Sequence, residues 1–149
     1  MNLAQDSLTD WIQILFTITA GIFALRLFQQ SNKEKRNKYV ADILNKFYGD
    51  NDIRKIIYSV DSGKNTKEIK FGGQLEQQAD KTIQYFNYIG YLIKEEELKA
   101  KDLKPFKYEI KRVFNNDTVQ EYIKWLKTIG VTLDYLDSLK DSVTEITKK

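Results

Sequence analysis

LTDWIQILFTITAGIFALRLF, Leu8 to Phe28, is the stretch on which the fold turns. From Trp11 onward it carries a single charge, Arg26, among 18 residues that are otherwise apolar or weakly polar. Taken as a helix at ~1.5 Å per residue, the full stretch spans about 30 Å, the thickness of a bilayer's hydrocarbon core. Trp11 falls near one end, where an indole favours the membrane interface, and Arg26 near the other, within snorkelling reach of the headgroups. The stretch therefore predicts a transmembrane helix.

Its flanks predict an orientation. Asp6 and Asp10 precede the span, whereas Lys33, Lys35, Arg36 and Lys38 follow it. By the positive-inside rule the N-terminus lies outside, and everything beyond Phe28 is cytoplasmic at a cell (inner) membrane. A cleaved signal peptide fits poorly, because no Lys or Arg precedes the apolar run and no small-x-small site follows it. The competing reading is the buried central helix of a soluble helical bundle, with residues 8–28 as its core. Gln13, Thr17 and Thr19 keep that rival in play.

The span also has a patterned face. Gln13, Thr17, Ala20, Gly21 and Ala24 fall within about a third of the helix circumference. Small residues four apart let two backbones approach closely in lipid, and a Gln side chain can add an interhelical hydrogen bond of ~1 kcal/mol. This face predicts a homo-oligomer, with pore lining as a stronger form of the same idea. The plainer alternative is that Gly, Ala and Thr are simply common in membrane helices.

Composition narrows the chemistry. The 149 residues include no Cys and no His, which removes disulfides, thiolate metal sites, the commonest general base and the commonest zinc ligand. An enzyme would have to work with Asp, Glu, Lys, Ser or Tyr alone, so a non-enzyme without cofactor is expected. Net charge is +3, and +4 for the part beyond Phe28, since Asp6, Asp10 and Arg26 lie before it. That is too mild for a dedicated nucleic-acid domain. A mean hydropathy of −0.51 averages an apolar N-terminus with a polar remainder.

QQSNKEKRNK, residues 29–38, reads as a helical stalk or short juxtamembrane linker, a basic stalk whose cations suit anionic headgroups. Residues 39–149 then read as a compact all-α cytoplasmic domain, a multi-helix bundle. Tyr39, Val40, Ile43, Leu44 and Phe47 form one apolar stripe, closed by Gly49. Asp50 or Asn51 caps a short helix carrying Ile53, Ile56, Ile57 and Val60. DSGKNTKEIKFGG, residues 61–73, is a loop, followed by a long helix from about Leu75 to Leu98. Asp102 is expected to cap a helix with Pro105 in its first turn and Leu103, Phe106, Ile110, Val113 and Phe114 on its inner face. Asp117 with Gln120 suggests a capping box for a helix using Val119, Tyr122, Ile123, Leu126 and Ile129, and Thr132 starts the last helix. No two-residue alternation is sustained, so strands are not expected.

Four groups invite chemistry. Glu95, Glu96 and Glu97 form a carboxylate run, but consecutive helical residues diverge by about 100° and do not converge on an ion. Asp134, Asp137 and Asp141 share a face, although carboxylates from a single helix rarely complete a metal site, so no metal site is expected. Tyr85, Phe86, Tyr88 and Tyr91 beside Lys94 have the residue types for base stacking and phosphate contact, yet their helical spacing favours a core. KFGG, Lys70 to Gly73, could place amides and a Lys around a phosphate, but it lacks the full P-loop pattern.

The Trp11-led span, the phrase FNYIGYLIKEEEL (Phe86 to Leu98), and DLKPF (Asp102 to Phe106) with Trp125 resemble a group of small, mainly bacterial single-span membrane proteins of unknown function. These have a basic stalk and a helical cytoplasmic domain. The resemblance implies that architecture and an accessory or defence-related setting, and it supplies no catalytic residue.

The expected function is a membrane-anchored interaction module that self-associates through its span and presents its domain to a protein partner or a small anionic ligand. The alternative is an effector of a bacterial defence system, in which nucleotide sensing by the domain rearranges the span into a leak.

Overall fold

The structure, a computed structural model, describes the backbone of residues 3–63 and 66–147 and, within these, the side chains from Trp11 onward. It is all-helical. Six α-helices and two 3-10 segments follow one another, with no strand among the described residues. By contact the chain divides between Lys38 and Tyr39 into two units.

The first unit is helix α1 (Leu3–Gly49) as far as Lys38. It contains no Pro, and its only glycine before Gly49 is Gly21, so nothing interrupts the hydrogen-bond ladder. Residues 29–38 continue the same helix, as the helical-stalk reading expects. The two threonines that make residues 11–28 less apolar bond back into the helix. Thr17 Oγ1 donates to the Gln13 carbonyl at 2.8 Å, and Thr19 Oγ1 to the Leu15 carbonyl at 2.7 Å. A hydroxyl satisfied within its own helix loses most of the penalty of leaving water.

The second unit begins with the last turns of α1, where Ile43 and Phe47 are buried. Helix α2 (Asn51–Ser62) follows after a one-residue break. Asp50 caps it, Oδ1 accepting from the N–H groups of Asp52 (3.1 Å) and Ile53 (3.4 Å). Ile53, Ile56 and Val60 face inward as expected. The expected loop is more ordered than its polarity suggests, with a 3-10 turn at Thr66–Glu68 and a fully buried Ile69. Its Lys64 and Asn65 lie outside the described residues.

Helix α3 (Glu76–Lys94) packs against both α2 and the C-terminal helix. It ends four residues earlier than its apolar pattern suggests. Glu96 takes a left-handed φ of 58°, and the Leu98 N–H reaches back to the Leu92 carbonyl, tucking Leu98 into the core. The following segment starts as 3-10 (Ala100–Phe106) and becomes helix α4 (Lys107–Phe114) only after Pro105. Asp102 lies inside that 3-10 segment and accepts from the Lys99 N–H, so it does not cap α4. Leu103, Phe106, Ile110, Val113 and Phe114 are nonetheless all buried.

Helix α5 (Asp117–Thr128) is capped by Asn116 rather than Asp117, and Gln120 bonds the Phe114 carbonyl instead of closing a capping box. Ile129 is exposed, because α5 stops one residue before it. Helix α6 (Leu136–Thr147) begins at Leu136, not Thr132. Asn87 holds the preceding turn in place. Its Oδ1 accepts from the Tyr135 N–H and its Nδ2 donates to the Thr132 carbonyl.

At the centre lies an aromatic cluster. The Phe47 ring is 5.2 Å from that of Phe106 and 5.7 Å from that of Phe86, which is itself 5.7 Å from Phe114. Such pairs add about 0.5–1.5 kcal/mol each beyond the area they bury.

Candidate functional site

Three regions hold exposed groups suited to recognition, and the first is the face of α1. The helix is unbroken through residues 11–28, so Gln13, Thr17, Ala20, Gly21 and Ala24 share one side of it by geometry. All five are exposed, and a shallow groove runs along Gln13, Ile14, Thr17 and Ile18. A Cβ added at Gly21 would meet nothing within 4 Å. Lys33, Lys35, Arg36 and Lys38 continue the same helix, and their spacing distributes them around its circumference. They form a basic collar rather than a patch.

The second region is a polar-aromatic surface on the last turn of α1, α2 and α4. Tyr48, Tyr58 and Tyr108 are each more than half exposed. The Arg112 guanidinium joins Asp61 at 2.8 Å, donates to the Asp61 carbonyl and to the Tyr108 hydroxyl, and lies 5.4 Å from the Tyr108 ring centre. Arg54 lies 5.6 Å from the Tyr58 ring centre, and the Tyr48 hydroxyl donates to Glu109. Burial and the Glu109 carboxylate both raise the Tyr48 pKa.

The third is a cleft of about 530 Å³ between the Thr66–Phe71 segment and α5, with Lys67, Lys70, Phe71, Thr118, Glu121 and Trp125 among its lining. Phe71 is 70% exposed even though its ring lies 4.9 Å from that of Trp125, and Trp125 stacks on Tyr122 at 5.4 Å. Tyr122 is fixed from behind, its hydroxyl donating to Asp80 Oδ1 at 2.7 Å. Burial, then Asp80, push that phenol's pKa far up, so it stays protonated.

The turn presenting Phe71 is tightly specified. Gly72 has φ 71°, and a Cβ at Gly73 would come 2.2 Å from the Glu68 carbonyl oxygen. Gly72 N–H donates to Glu76 Oε2 at 2.8 Å, and Gly73 N–H to the Lys70 carbonyl. The two glycine amides of the expected phosphate cradle are therefore already occupied, one of them by a carboxylate.

The remaining candidate groups do not assemble. Glu95 and Glu96 lie in the turn after α3 and are exposed, and no group of three or more acidic side chains able to hold a metal occurs among the described residues. Phe86 is core, and Tyr85 is partly buried, which raises its pKa. Only Tyr88 and Tyr91 of that series remain exposed, and Tyr91 meets Tyr135 edge-on at 5.3 Å. The cleft was missed as a unit because Lys70 and Phe71 are distant in sequence from Thr118 and Trp125. The visible signal was a Phe stranded in a polar, glycine-rich loop with no helical stripe to join.

No family model, curated protein or solved structure matches the chain.

Proposed function

We propose that the protein is a non-enzymatic, membrane-anchored interaction module. Its anchor is Leu8 to Phe28, with the N-terminus outside and residues 39–149 in the cytoplasm as a helical bundle. The observation that carries this reading is that α1 is long and apolar enough to cross a membrane, and none of its apolar window is buried by the chain. Eleven large apolar side chains between Trp11 and Phe28 are exposed. Each would forgo about 1.5–3 kcal/mol by remaining in water. A core helix of a soluble fold would have these side chains covered, whereas a bilayer covers them without help from the chain.

Self-association runs through the Gln13, Thr17, Ala20, Gly21 and Ala24 face. Thr17 is already satisfied within the helix, and the Gln13 carboxamide, hydrogen-bonded to none of the described residues, supplies the face's polar group for a second copy. Toward the cytoplasm, the Tyr48, Tyr58 and Tyr108 surface with Arg54 and Arg112 is the region to present to a protein partner, since Tyr and Arg are enriched in interface cores.

Gly21→Ile tests the association directly. Its side chain enters open space, so the helix of one copy is undisturbed. Cross-linking in detergent micelles is expected to show an oligomer for the parent chain and a monomer for the variant. An unchanged oligomer would place the contact on another face.

A further inference from the structure

We infer that the cleft between the Thr66–Phe71 segment and α5 binds a small planar heteroaromatic anion of the nucleoside monophosphate class. Four observations support this, none depending on the membrane reading. The first is the aromatic wall. Phe71, Trp125 and Tyr122 form a continuous run of rings, and Phe71 keeps 70% of its surface in solvent. A large apolar ring held in water by a rigid turn is a standing cost that a stacked ligand would relieve.

The second is that rigidity. The Gly72 and Gly73 backbone, the Glu76 carboxylate on the Gly72 amide and the buried Ile69 fix the turn before any ligand arrives. A preorganised wall loses little entropy on binding. The third is charge. Lys67 and Lys70 are exposed at the cleft, and neither ammonium has an acidic partner among the described residues. Of the lining residues, Lys67 and Lys70 stand against one carboxylate, Glu121. The neighbouring Glu76 and Asp80 are engaged by the Gly72 amide and the Tyr122 hydroxyl, so the cations that face the cleft favour an anionic group. Glu121 can in turn accept from the amino or imino N–H of a heterocycle.

The fourth is size. About 530 Å³ lies within the range of roughly 300–1,000 Å³ typical of small-ligand sites. The site does not use the glycine amides, so it is not a phosphate loop. Its specificity would come from ring stacking joined to lysine side chains.

Isothermal titration calorimetry on the full chain in detergent, with AMP, GMP, CMP and UMP as titrants, tests this. At least one monophosphate is expected to bind saturably, and its nucleoside and ribose 5-phosphate each at least roughly tenfold more weakly. Phe71→Ala alters an exposed ring and should leave the melting curve in place, yet weaken binding about tenfold through the lost stacking partner. Lys67→Ala with Lys70→Ala should erase the preference for the monophosphate over the nucleoside. Absence of saturable heat with all four titrants at millimolar concentration would overturn the inference. So would binding indifferent to both sets of variants, or equal affinity for nucleoside and monophosphate.

Discussion

Gly90 sits in the middle of α3, where a glycine costs helix stability, and the structure supplies its reason. A Cβ there would lie 1.9 Å from the Tyr135 carbonyl oxygen, in the turn that Asn87 ties to α3. Gly90→Ala is expected to destabilise the chain by roughly 1–3 kcal/mol through overpacking against backbone that cannot retreat. Thermal melting followed by circular dichroism checks this, and a melting curve at or above that of the parent would contradict it. Asp50 makes a second residue-scale prediction. Burial pushes its carboxyl up, but Lys81 at 3.0 Å, Lys46 at 3.3 Å and two backbone amides outweigh that and bring it from 3.8 to about 2. Its folded pKa lies below the unfolded value, so proton uptake favours unfolding. The contribution is full above pH about 4 and disappears as pH falls toward 2. Both lysines are nearly half exposed, so the effect is of order 1 kcal/mol. Asp50→Asn keeps an acceptor for the cap and removes the charge. Urea unfolding at pH 4 and pH 2 should show a smaller loss for the variant than for the parent.

At the scale of elements, the apolar stripes of α2, α4 and α5 were legible because each repeats every three or four residues, and they are buried as read except for Ile57, which is partly buried, and Ile129, which is exposed. Boundaries were less legible where two signals compete. Leu98 belongs to the core, but it gets there through the left-handed turn at Glu96, so an apolar residue in register did not mean that the helix continued. Asp102 has the composition of a helix cap, yet the residues around Pro105 adopt 3-10 geometry and the α-helix starts later. The α1 face can be tested as an element by pairing Gly21→Ile with Leu15→Ala, which lies about 120° from Gly21 and nearly opposite the middle of the face around the helix. Only the first is expected to abolish cross-linking. If Leu15→Ala abolished it as well, association would depend on general apolarity and not on the small-residue face.

For the whole molecule, the long apolar helix was legible because length and apolarity in one continuous run are read directly from the residues, and α1 is long and apolar enough to cross a membrane. The cleft was invisible as a whole because two loop lysines, a loop Phe and a Trp on α5 become neighbours only through tertiary packing. Within KFGG the two glycine amides are occupied, whereas Lys70 and Phe71 line the cleft. The absence of cysteine from the sequence makes topology directly measurable. Single cysteines introduced as Ser7→Cys and Lys124→Cys can be probed with a membrane-impermeant maleimide in intact and permeabilised cells. The expected result is labelling of Ser7→Cys in intact cells and of Lys124→Cys only after permeabilisation. Labelling of Lys124→Cys in intact cells, or no labelling of Ser7→Cys until the membrane is breached, would contradict a span with its N-terminus outside.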